Sequence, residues 1–177
     1  MESEVVGKID VASRQIAESV RLFFDRRDPI VIHTVIAAAH QILFDLSSKS
    51  GVDSSIKKIG GLGKADVREF LNSINYPYNF FKHADRDSDS AINIGPLERY
   101  TQDFVMDAVV MLQRISKVIP FEAKVFWCWF VSYYPDEFSN LPADGVIAQM
   151  QEHEFGKLPF RDIAMFIKMN DVLESDT

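Results

Sequence analysis

The chain holds one cysteine in 177 residues, Cys128, so no disulfide can close within it. It has no excess of positive charge. Nineteen Lys and Arg stand against 26 Asp and Glu, a formal charge of −7, and no overall field draws the chain to phosphate backbones or anionic lipid. Neither a membrane nor nucleic acid is an expected partner. An uninterrupted membrane span is also missing: the apolar window from Pro29 to Leu46 is broken by His33, His40 and Gln41, and that from Phe121 to Tyr134 is too short. Met1-Glu2-Ser3-Glu4 lacks the basic start and apolar stretch of a signal peptide, which predicts a cytoplasmic protein. Apart from Ala91 to Ile94 nothing alternates with the strand period of two, and there is no internal repeat.

What remains is helical spacing over a composition that is 47% hydrophobic, enough for one self-sufficient core in a single domain spanning 1–177. Ile9, Ala12, Ile16, Val20 and Phe23 predict a helix over about 4–25. Asp28 followed by Pro29 is a helix start: the carboxylate accepts from first-turn amides, and proline gives up a donor that has no partner there. The helix it opens is expected to end near 46, followed by a Ser- and Gly-rich mobile loop at 47–63. Further helices fit 64–74, 77–84, the stretch from Gly95-Pro96 to Pro120, 121–134, 142–154 and 159–173. The fold class is all-α, a bundle of seven or eight helices.

On the second helix Ile32, Val35, Ile36, Ala39, Ile42, Leu43 and Leu46 make one apolar face, leaving His33, Thr34, Ala37, His40, Gln41 and Asp45 opposite. His33 and His40 are two turns apart on nearly one line. They read either as hydrogen-bonding residues beside a close helix neighbour or as one wall of a pocket. Its second wall would be Asn79 and His83, four residues apart in Asn79-Phe80-Phe81-Lys82-His83, so the candidate pocket is His33, His40, Gln41, Asn79 and His83. Neutral imidazoles suit a divalent transition metal, with Asp45 or Asp85 as oxygen ligand. Lys82, His83 and Arg86 equally suit a helix C-terminus, where cations meet the negative end of the dipole.

Asp85, Asp87 and Asp89 with Ile92 follow the first half of a calcium-binding EF-hand loop. Ser90 replaces its glycine, however, and Pro96 its closing glutamate. Gly60 to Ala65 lacks both the first glycine and the hydroxyl of a phosphate loop. Cys128, between Trp127 and Trp129, reads as a core residue and not a nucleophile. Aromatic side chains surround the 121–134 helix on every side, which calls for central burial or a subunit interface.

The segments Asp28-Pro29-Ile30-Val31-Ile32-His33-Thr34 and Asn79 to Asp87 resemble those of a family of uncharacterised bacterial all-helical proteins. That resemblance implies a bacterial cytosolic protein and brings no catalytic residues with it. Arg27-Asp28 followed by His33 is similar, more distantly, to the active-site spacing of HEPN ribonucleases, although Pro29 places Arg27 ahead of the helix. There the resemblance implies His33 acting on the ribose hydroxyl or leaving group and Arg27 stabilising the phosphorane. No complete catalytic constellation emerges from the residues themselves. The leading expectation is a helical binding or interaction protein that associates with a protein partner or with itself as a homodimer. The alternative is a metal-dependent or histidine-based enzyme in which His33 and His83 share one concave site.

Overall fold

The computed structural model describes residues 4–51, 54, 64–83, 85, 88–138, 148–149 and 152–175. Among the described residues are six α-helices, two short 3-10 turns at Pro135–Phe138 and Phe155–Lys157, and no strand. The helices are α1 (Lys8–Phe24), α2 (Pro29–Ser50), α3 (Lys64–Lys82), α4 (Leu97–Ser116), α5 (Phe121–Tyr133) and α6 (Phe160–Ser175).

Of the eight expected segments, those at 64–74 and 77–84 form one helix, which leaves seven, and six of these lie among the described residues. Pro77 sits inside α3 and is buried; it cannot donate to the carbonyl one turn back and its ring crowds that carbonyl, yet the helix continues through it. Most of the helix expected at 142–154 lies outside the described residues. So does the centre of the expected loop at 47–63, together with the glycines at 60, 61 and 63. Its first four residues are helical. Ser47 and Ser50 donate their hydroxyls to the carbonyls of Phe44 and Leu46 at 2.7 and 3.2 Å, and α2 ends only at Gly51, left-handed at φ 68°.

The other boundaries follow local chemistry. Asp10 accepts from the Gly7 amide at 3.1 Å and starts α1 after the glycine. Asp28 accepts from the amides of Ile30 and Val31 at 2.8 and 3.4 Å, with Pro29 as the first residue of α2, as its sequence predicts. Pro120 and Pro159 precede α5 and α6.

The core is built around α2, which packs most extensively on α1 and α4. His33 faces Thr101 and His40 faces Asp107, so α2 and α4 run parallel. Asp25 bonds Lys168 and Arg21 bonds Asp171, so α6 lies antiparallel to α1. Arg21 also pairs with the buried carboxylate of Glu122, tying α1, α5 and α6 at one point. Phe23, Phe24, Phe126, Trp129 and Phe160 form an aromatic cluster, with Phe23 and Trp129 centroids 5.2 Å apart and Phe24 and Phe160 also 5.2 Å apart. Phe126, Trp129 and Phe130 of α5 are buried and only Tyr133 is half exposed, so this aromatic helix belongs to the core. The stretch Pro29–Ser47 of α2 is, by length and composition alone, apolar enough to cross a membrane. Within the fold its apolar face and its histidine face are both covered.

Candidate functional site

The histidine-bearing side of α2 is inside, against α4. His33, Ala37 and His40 recur at four and three residues, and all three are buried against α4. Small Ala37 lets the two helices approach, and Phe104 of α4 fills the space between the imidazoles, with its ring 5.3 Å from His33 and 4.6 Å from His40.

His33 Nδ1 lies 3.1 Å from Thr101 Oγ1, and Thr101 donates its one hydroxyl proton to the Leu97 carbonyl at 2.7 Å. The hydroxyl oxygen must then accept from His33, which selects the neutral Nδ1–H tautomer. Nε2 is left as a buried lone pair with no hydrogen-bond partner among the described residues. Burial, and secondarily the proximity of His40, push the His33 pKa down to about 4. The imidazole is therefore uncharged at neutral pH.

His40 Nε2 stands 2.7 Å from Asp107 Oδ2, and Ser54 donates its hydroxyl to the same oxygen at 2.6 Å. All three side chains are buried. The order is serine, aspartate, histidine: the carboxylate and not the imidazole receives the serine proton, which is not the arrangement that makes a serine nucleophilic. With both imidazoles at 0% exposure, the cluster presents no atom to a dissolved substrate. What it does is satisfy polar groups inside the core while joining α2 to α4 and to the chain at residue 54.

The remaining expected pocket residues lie at the surface. Gln41 donates to Asp45 at 2.8 Å along α2. Asn79 is exposed on α3, and the His83 side chain is 47% exposed with Nδ1 4.0 Å from Asp85. The segment does reach α2, but through Phe81, whose ring centroid is 6.3 Å from that of His33. One imidazole of the expected His33–His83 pair is sealed and the other exposed. Of the aspartates expected in a calcium loop, Asp85 and Asp89 are exposed and Asp87 lies outside the described residues. Among the described residues no three His, Cys, Asp or Glu side chains are placed to hold a metal ion. Arg27 is exposed at the α1–α2 turn and does not share a surface with the buried His33.

Sequence reading missed Thr101, Asp107 and Ser54, which complete the histidine cluster. It also missed the outer face of α6. Ile163, Ala164 and Ile167 turn inward, while Met165, Phe166, Met169, Val172 and Leu173 on the opposite side are 50% to 68% exposed. Apolar residues on two sides of one helix were the available signal, masked by the shortness of the segment. The chain matches no family model, no curated protein and no solved structure, so its functional reading rests on this geometry alone.

Proposed function

We propose that this chain is a cytoplasmic interaction protein that pairs with a second copy of itself through the outer face of α6. The exposed stripe of Met165, Phe166, Met169, Val172 and Leu173 carries the reading. These positions follow the spacing by which one helix seats on another, and Phe121 of α5, its ring 5.4 Å from Phe166, extends the patch. Isolated apolar side chains on a surface need no explanation, but a contiguous stripe of five does. Five side chains at these exposures offer on the order of 500 Å² per copy, hence about 1,000 Å² across a two-fold interface, where specific association begins.

The helix dipoles favour an antiparallel arrangement. Arg161 at the start of α6 is paired with Asp162 at 3.2 Å, so the charges of that end cancel. Antiparallel pairing opposes the two macrodipoles. A net charge of −7 supports a protein partner over nucleic acid. Light scattering coupled to size exclusion, from micromolar to submillimolar concentration, tests the pairing. A concentration-dependent dimer that Met169→Asp returns to monomer is expected. A wild-type protein that stays monomeric throughout, or a dimer indifferent to Met169→Asp, refutes it.

A further inference from the structure

After α4 the chain reverses over Lys117–Pro120 into α5, and this reversal is firmly held. Lys117 adopts φ 60°, the left-handed helix cap, and donates its amide to the Gln113 carbonyl at 3.0 Å. Ser116 Oγ accepts from the Val118 amide at 3.2 Å. Between the reversal and the outer side of α5 lies an open groove of about 690 Å³. That is within the size range of small-molecule sites.

The lining of this groove is apolar and basic. Val118, Ile119, Trp127 and Cys128 form its apolar part, and Val118 is 75% exposed. Lys117 and Lys124 are its two cationic residues and Gln113 its neutral polar one, and no carboxylate among the described residues lines the space. Neither lysine forms an ion pair among the described residues. In a chain carrying seven more acidic than basic residues, two lysines beside exposed apolar surface form a local inversion of charge. Such surroundings favour a ligand with one anionic end and one apolar end: the ammonium groups take the head, and Val118, Ile119 and Trp127 take the body. A neutral apolar molecule would leave the lysines unused, and a bare inorganic anion would leave the apolar wall wet.

We infer that this groove binds small organic carboxylates with an apolar body, the carboxylate held by Lys117 and Lys124. Aliphatic and aromatic acids share that chemistry, and octanoate and 1-naphthoate serve as the two probes that separate them.

Cys128 lines the groove and is the chain's one cysteine, so it reports occupancy without engineering. Burial pushes its thiol pKa up, so labelling with a disulfide reagent is followed at mildly alkaline pH. At millimolar concentration at least one of the two acids is expected to slow labelling several-fold and to shift Trp127 emission, and octanol is expected to do neither. In the Lys117→Gln/Lys124→Gln variant the midpoint of protection is expected to rise about tenfold with the melting temperature unchanged. Equal protection by octanol, or an unaltered midpoint in the double variant, would reduce the groove to a greasy surface and overturn the inference. If Cys128 resists the reagent, the amide resonances of Val118 and Ile119 decide under the same titrations. Resonances that move with neither acid also overturn it.

Discussion

The buried His33 makes an acid-sensitivity prediction that can be isolated from the rest of the molecule. In the unfolded chain its imidazole takes a proton near the ordinary value of 6.5, whereas the folded protein resists protonation down to about 4. Between those values the unfolded state binds more protons than the folded one, so stability falls as the pH falls. The contribution is fully present above about pH 6.5 and is lost by about pH 4, below which both states are protonated. At about 1.4 kcal/mol for each tenfold change in proton affinity, the loss from this one side chain is about 3 kcal/mol. Other groups titrate over the same range, so the comparison is with His33→Leu. In that variant Thr101 still donates to Leu97, and the partnerless Nε2 is gone. At about pH 7 the lost Thr101 bond and the removed orphan atom roughly offset, leaving the two proteins within about 1 kcal/mol of each other. Urea denaturation at about pH 7, 5.5 and 4 should show wild type losing about 3 kcal/mol more than the variant. His83→Gln, altered at an exposed site, should track wild type. Parallel pH curves for wild type and His33→Leu would refute the burial argument.

Two further expectations concern packing. A Cβ at Gly156 would lie 2.6 Å from Tyr133 Cα and 2.7 Å from the Ser132 carbonyl carbon, backbone atoms that cannot swing aside. Gly156→Ala should therefore cost about 3 kcal/mol and lower the melting temperature by about 6–12 °C, and an unchanged transition would mean the close approach is not there. Arg21 pairs with Glu122, whose side chain is 6% exposed, and with Asp171, which is 42% exposed. Arg21→Met strands the buried carboxylate and should cost about 3 kcal/mol in urea denaturation, against less than about 1 for Asp171→Asn. Equal costs would show that the buried arm of the tie is not the important one.

The elements that sequence reading placed well are those whose causes are local. Asp28 and Pro29 carry their own capping chemistry, and Ala12, Ile16, Val20 and Phe23 show the spacing of one buried stripe. It stops short where the cause lies elsewhere in the chain. Periodicity places His33 and His40 opposite the apolar stripe of α2 but leaves open whether a close helix or a pocket faces them. Their partners Thr101 and Asp107 are 68 and 67 residues away, and no local pattern reveals that a second helix supplies them. The serines after Leu46 look like the start of a loop because serine competes with the helix for backbone bonds. Here Ser47 and Ser50 turn their hydroxyls back onto the helix's own carbonyls instead. Pro77 marks a helix start equally well when the preceding residues already form one.

The contrast between α2 and α6 follows from one requirement. A helix with apolar residues on two sides must have both sides covered or leave one in water. α2 meets the requirement internally, with α1 and α4 on its two sides and hydrogen bonds to Thr101 and Asp107 for the imidazoles that its second side carries. α6 packs Ile163, Ala164 and Ile167 inward, but its opposite side remains 50% to 68% exposed at five apolar positions. Among the described residues that side also carries no buried polar group that would fix a single neighbour inside the fold. It therefore suits the reversible pairing proposed for it, in which the surface is covered and uncovered as concentration changes.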